Sequence, residues 1–154
     1  MHAGGLVANS QTVGSWISEL GPNGIRHFAT GTAAPCLAGF KPIDIDTPVD
    51  VGAPTGVHDE GSLWWRFETL HRAIIGDPEA TRTYLEARDL WEASVWSDGL
   101  DSAAAFDSWA RFLESAVATL PAQLRDQRPW ATRHAWRQIE EASRSVSPRL
   151  PRWG

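Results

Sequence analysis

The stretch QTVGSWISELGPNGIRHFAT, residues 11–30, decides how the first part of this chain folds. At its centre, Gly21-Pro22-Asn23-Gly24 is a turn signal. Proline presets a bend, and Asn-Gly accepts the left-handed backbone that a tight reversal needs. A β-type run lies on either side. In Gln11–Leu20, Val13, Ser15 and Ile17 alternate with Thr12, Gly14, Trp16 and Ser18, so the two sets fall on opposite faces. Ile25–Thr30 is the returning run, and the whole predicts an antiparallel hairpin.

The reading extends outward from this hairpin. Gly31–Gly39 is a small-residue loop around Pro35-Cys36, and Phe40–Ile45 is a third short strand in which Pro42 marks an edge or a start. Asp46–Gly61 is acidic and rich in proline and glycine, hence an exposed loop. About three antiparallel strands make a small sheet with exposed edges, well short of the usual five or six. The expectation is one uncovered apolar face, the other being backed by helices.

From residue 62 the period changes to that of a helix. Ser62 is the expected N-cap of a first helix, with Leu63, Phe67, Leu70 and Ile74 as its stripe, Trp64 and His71 beside it, and Gly76 as its end. Asp77-Pro78-Glu79 opens a second helix with a cap, a first-turn proline and an acid at the positive dipole end. Tyr84, Trp91 and Val95 form its stripe and Asp98-Gly99 its stop. Asp101 or Ser102 caps a third helix burying Phe106, Trp109, Leu113, Ala116 and Leu120, up to Pro121. Residues 122–146 are a last amphipathic stretch with a break at Pro129. The predicted class is therefore α+β, a small antiparallel sheet followed by a C-terminal helical layer. Residues 1–154 form a single partial domain, β-rich over 1–61 and helical over 62–154.

Composition narrows the function classes. The 154 residues (16.9 kDa) are 42% hydrophobic and 21% charged, enough to bury a core. A net charge of −5 argues against a nucleic-acid partner. The single cysteine, Cys36, excludes an internal disulfide framework and a multi-cysteine zinc site. No apolar run reaches the roughly 18–20 residues of a membrane span, and no basic stretch leads into an apolar core at the N-terminus. A cytoplasmic setting without membrane contact is expected. Nine tryptophans point to aromatic packing, and Lys41 is the one lysine beside thirteen arginines. Residues 121–154 carry seven arginines against three acids, a solvated face or a docking surface for an acidic partner.

No catalytic motif is complete by spacing. His58-Asp59-Glu60 reads as a solvated acidic turn and His71 as a packed, hydrogen-bonded core histidine. Cys36 has no neighbouring cation, imidazole or helix start to lower its pKa, so it reads as a structural thiol. Neither a metal site nor a cofactor is expected. In Met1–Thr12, the glycine pair after His2-Ala3 and the polar run Ser10-Gln11-Thr12 can line a cleft, supplying donors and acceptors but no base.

Three blocks in order carry a family resemblance. HAGG (2–5) with SQTVGSWISEL (10–20), TGTAAPC (30–36) with FKP (40–42), and GSLWWRFETLHR (61–72) resemble the C-terminal portion of the secernins and their dipeptidase-like relatives. The resemblance implies an Ntn-hydrolase with a four-layer αββα sandwich. In such enzymes an N-terminal cysteine supplies both thiolate and α-amino base for hydrolysing short peptides or acyl amides. It implies His2, Asn9, Ser10, Gln11 and Thr12 as substrate-binding positions. It assigns no catalytic residue here, because the family nucleophile lies upstream of these blocks, residue 2 is histidine, and Cys36 falls on a family loop position. Val13 stands where threonine is commoner, and Trp16-Ile17 where Met-Val is. The implied partner is an upstream N-terminal polypeptide of the same enzyme or a second copy, and the chain alone is expected to be inactive. The competing expectation is a non-catalytic interaction module working through its tryptophan-rich helices.

Overall fold

In the computed structural model, which describes residues 12–22, 24–52 and 55–143, the hairpin closes at the expected turn. Strand β1 (Trp16–Gly21) pairs antiparallel with β2 (Gly24–Ala29), in register from Trp16 opposite Ala29 to Gly21 opposite Gly24. Gly24 has φ 121°, which a residue with a Cβ rarely adopts. Strand β3 (Lys41–Ile43) adds antiparallel to β2, giving the order β1-β2-β3.

Two strands are shorter than their sequence patterns. The ladder begins at Trp16, yet pairing continues irregularly upstream: Thr30 N donates to the Ser15 carbonyl (3.1 Å) and Ser15 N to Thr30 Oγ1 (2.9 Å). β3 stops at Ile43 because Asp44 leaves the ladder. Its backbone N–H donates to Ser102 Oγ (2.5 Å), while its carboxylate accepts from Asp46 N (3.0 Å) and Thr47 Oγ1 (2.8 Å). This local turn competes with strand hydrogen bonding.

The helices follow the sequence closely. α1 (Leu63–Ile74) buries Trp65, Phe67, Leu70, Ala73 and Ile74, together with Glu68 and His71. Ser62 occupies the N-cap position but makes no side-chain capping bond. α2 (Pro78–Ser97) is capped by Asp77, whose Oδ1 accepts from Glu79 N and Ala80 N, both at 3.1 Å. Asp98 and Gly99 (φ 62°) end it with a left-handed residue just past the cap. α3 (Ser102–Ala118) starts with Asp101 Oδ1 accepting from Ala104 N at 2.8 Å. Among the described residues the last stretch is helical from Trp130, immediately after Pro129, as α4 (Trp130–Ser143). No helix among the described residues is long and apolar enough to cross a membrane.

The core is helical, closed by a turn rather than by the sheet. Phe67, Leu70, Ile74, Tyr84, Trp109 and Leu113 cluster with Ala34, Leu37 and Ala38 of the β2–β3 connection. β3 packs on α2 and α3, β2 reaches α2 through the Phe28 side chain, and β1 meets only β2. The expected helical layer therefore backs one edge of the sheet, and the hairpin projects beyond it. Register puts Trp16, Leu20 and Ile25 on one face of the hairpin, where they are 53%, 77% and 62% exposed. On the other face Phe28 is buried against Trp96 (centroids 4.7 Å apart), but its pairing neighbour Ile17 is 39% exposed.

Asp77 does more than cap α2. Its second oxygen accepts from Arg125 N (2.8 Å), fixing the segment after α3 against the start of α2. The backbone N–H groups of Arg125 and Ala80, with smaller help from Glu79 N and the Arg125 charge, hold the Asp77 carboxyl below the usual carboxylate range although burial opposes them. Asp77→Ala should cost about 1–2 kcal/mol in urea unfolding. A depressed carboxylate contributes stability that is present above its unfolded pKa and disappears as pH falls through the folded one. The difference between wild type and variant should thus shrink below about pH 4. An undiminished difference at pH 3 would contradict this role.

Candidate functional site

The candidate site is the connection from β2 to β3, residues 30–41, together with the strand entering β1. Thr12 is exposed, and its carbonyl accepts from Ala34 N at 3.1 Å. The only described member of the sequence-predicted substrate set is thereby joined to the TGTAAPC block, which the sequence kept apart. His2, Asn9, Ser10 and Gln11 lie outside the described residues.

Two left-handed residues shape the connection, Gly31 (φ 60°) and Ala34 (φ 47°). They turn the chain so that Thr30, Thr32, Ala33 and Ala34 are buried, while Cys36 stays at the surface. Thr32 Oγ1 is buried without a hydrogen-bond partner. Arg88 of α2 holds the far side, its Nη1 donating to the carbonyls of Ala38 (2.9 Å) and Cys36 (3.4 Å). Tyr84 Oη donates to the Leu37 carbonyl at 2.9 Å. Burial pushes that phenol well above its ordinary pKa, the Arg88 charge opposing, so it remains a donor. Cys36 is thus a loop thiol, as expected from its neighbours in sequence.

Lys41 is the residue that sequence reasoning missed. Its side chain is 1% exposed. Nζ donates to the carbonyls of Gly39 (2.7 Å) and Thr30 (3.1 Å), closing the two ends of the connection on each other. The ammonium also lies 4.8 Å from the Trp109 ring centroid and 5.5 Å from that of Phe106. Burial lowers its pKa from 10.5 to about 7, partly opposed by the Glu92 carboxylate, which itself accepts from Phe40 N at 2.8 Å. One lysine among thirteen arginines was the available signal. An ammonium is a compact cation that fits under two rings and can shed its proton, whereas a guanidinium is larger and stays charged.

This burial has a measurable consequence. The folded pKa of Lys41 lies below the unfolded one, so above about pH 7 the unfolded chain binds the extra proton and stability rises with pH. The gain from pH 7 to 8 should be about 1 kcal/mol in urea titrations. Lys41→Met should remove this slope, and a wild type as flat as the variant would contradict the caged ammonium.

The histidines divide. His71 is packed and hydrogen bonded through Nδ1 to Glu68 Oε2 (3.2 Å), as the sequence implied. His58 is a correction. It is 9% exposed, lies against Trp65 (62° between rings, 5.7 Å between centroids), and its Nε2 has no partner. The acidic turn folds back because Trp65 Nε1 donates to the Thr55 carbonyl (3.0 Å), drawing the segment over the start of α1. No group of three or more potential metal ligands occurs among the described residues.

The connection is therefore a lysine-tied turn whose threonines are buried, Thr30 Oγ1 accepting from Ser15 N at 2.9 Å. In comparisons with known proteins the chain matches no family model, no curated protein and no solved structure.

Proposed function

We propose that this chain is the C-terminal part of a secernin-like amide hydrolase, one portion of an αββα sandwich whose N-terminal cysteine is carried on another polypeptide segment. In this reading the chain supplies the substrate-positioning strand, with His2, Asn9, Ser10, Gln11 and Thr12 lining the cleft, and the bond-breaking thiolate and amine come from the partner segment. Short peptides or acyl amides are the substrate class.

The observation that carries the reading is the hairpin. Trp16, Leu20 and Ile25 face solvent on one face of the hairpin, on either side of the hydrogen-bonded pair Ser18 and His27 (2.9 Å), while the other face meets helix α2 only at Phe28. A sheet that forms one layer of a two-sheet sandwich needs such a surface, where a second sheet packs about 10 Å away. Supporting it, the first two of the three family blocks meet in one place. The strand entering β1 is hydrogen bonded to the TGTAAPC turn through Thr12 and Ala34.

The test is hydrolysis of a dipeptide panel. The chain alone should show no turnover. Co-purified with a cysteine-initiated N-terminal segment of such a hydrolase, it should turn over dipeptides, and Cys36→Ala should leave that activity unchanged. Turnover by the chain alone that survives Cys36→Ala would overturn the proposal.

A further inference from the structure

Helices α2 and α3 are clasped at one end and part at the other. Trp91 makes the clasp: its Nε1 donates to Ser108 Oγ (3.0 Å), and its ring lies 4.7 Å from that of Trp109 and 5.8 Å from that of Phe112. Toward the start of α2 and the end of α3 the residues between the helices are small. Ala80 and Ala87 on α2, with Ser115 and Ala116 on α3, leave the space unfilled. A groove of about 500 Å³ remains, a size usual for small-molecule sites. The rings of Tyr84 and Phe112, with centroids 6.0 Å apart, line it. The Tyr84 hydroxyl is engaged by the Leu37 carbonyl, so what Tyr84 offers a ligand is its ring.

Charge gathers where the segment after α3 meets the start of α2. Asp77, Glu79 and Arg125 all line the groove. The Asp77 carboxylate is fully engaged, Oδ1 by the backbone N–H groups of Glu79 and Ala80, and Oδ2 by that of Arg125. One carboxylate thus anchors the backbones of both Glu79 and Arg125, and their side chains start beside each other. Among the described residues neither side chain makes a hydrogen bond or an ion pair. A simple anion in the groove would meet two carboxylates against one guanidinium, and the first N–H groups of α2 are already taken up by Asp77. A simple cation would leave Arg125 unmatched. A zwitterion complements both charges.

We propose that this groove binds a free α-amino acid with a large apolar side chain. The ligand carboxylate meets Arg125, whose guanidinium can hold it through two parallel N–H bonds. The ligand ammonium meets Glu79, and the side chain lies against Tyr84 and Phe112. Glu79 and Arg125 are exposed, which keeps each charge pair weak by itself, so apolar contact supplies most of the affinity and the charges set the ligand class. The inference does not rest on the hydrolase reading: the groove is built by α2, α3 and the segment after α3, without the hairpin.

Titration of L-phenylalanine into the 15N-labelled full chain, followed at the Glu79, Ala80 and Arg125 amides, tests it. The expected Kd is about 1 mM, ordinary for so small a ligand. L-phenylalaninamide lacks the carboxylate and N-acetyl-L-phenylalanine the ammonium, and each should bind wild type at least about fivefold more weakly. Glu79→Gln and Arg125→Gln should each weaken phenylalanine binding by a similar factor. The amide should be indifferent to Arg125→Gln but not to Glu79→Gln, and the N-acetyl compound the reverse. A merely structural effect would move all three probes alike. Thr83→Trp fills the groove from its exposed rim and should abolish binding while the urea midpoint stays close to that of wild type. Glycyl-L-phenylalanine, whose charges stand one residue further apart, should bind more weakly than phenylalanine, and tighter binding would give the groove to peptides and overturn the proposal. No shift of these amides at about 20 mM phenylalanine, a response to only one of the two charge variants or to neither, or either derivative binding wild type as tightly as phenylalanine would also overturn it.

Discussion

Trp109→Ala should destabilise the protein by about 4–5 kcal/mol, the upper end for a buried aromatic truncated to alanine. The ring is 0% exposed and sits where three groups of residues meet. Trp91 of α2 lies 4.7 Å away, Phe67 of α1 6.0 Å and Phe112 of α3 5.3 Å, all between ring centroids. Its removal leaves a cavity between α3 and the two helices α1 and α2, which cannot both collapse into it. It also takes one wall from the Lys41 cage, exposing a desolvated ammonium to a hole rather than to a ring. For a domain with a typical total of 5–15 kcal/mol, such a loss consumes much of the stability. Denaturant unfolding measures the cost, and amine-reactive labelling reads the cage. Lys41 should be protected in wild type and labelled in the variant under native conditions. A loss below about 2 kcal/mol with Lys41 still protected would show that Trp109 is not the centre of the core.

Gly39→Ala should cost about 3 kcal/mol, although it adds a single methyl group. A Cβ built on Gly39 lies within van der Waals collision distance of Trp91 Cζ3 (2.4 Å) and Trp109 Cζ3 (2.9 Å). Both are atoms of packed indole rings, which cannot step aside as the end of a flexible chain can. The backbone at Gly39 is not left-handed, so the penalty is one of space rather than of conformation. The site also matters for Lys41, whose ammonium donates to the Gly39 carbonyl at 2.7 Å. Because the cause is steric, a compensating change is expected: Gly39→Ala combined with Trp91→Leu should be more stable than the sum of the two single losses. Strict additivity in the double-mutant cycle would refute the collision.

The hairpin and three of the helices were legible because their signals are local. Asn23-Gly24 demands a reversal, Asp77-Pro78 and Asp101 demand helix starts, and Gly99 supplies the left-handed stop. The candidate site was legible only in pieces. The hydrogen bond from Ala34 N to Thr12 joins residues far apart in sequence, and no period or spacing announces it. Lys41 stood out in the sequence only as the one lysine among thirteen arginines. Its burial arises from where α3 puts Phe106 and Trp109, which is a tertiary fact. His58 was misjudged for a similar reason. A loop of acids and glycines reads as solvated until Trp65 draws it in. The end of β3 at Ile43 came from Asp44, whose short side chain found closer partners in Asp46 and Thr47 than a strand could offer.

If the chain is one layer of the proposed sandwich, the exposed face that carries Trp16, Leu20 and Ile25 packs against a second sheet. Amide hydrogen exchange across β1 and β2 tests it most directly, comparing the chain alone with the chain co-purified with a cysteine-initiated hydrolase segment. Exchange at Ile17 to Leu20 should be fast in the isolated chain. Slowing of at least about a hundredfold in the complex should appear with dipeptide hydrolysis, equivalent to a local opening costlier by about 3 kcal/mol. Unchanged exchange at β1 in a complex that turns over dipeptides would contradict it.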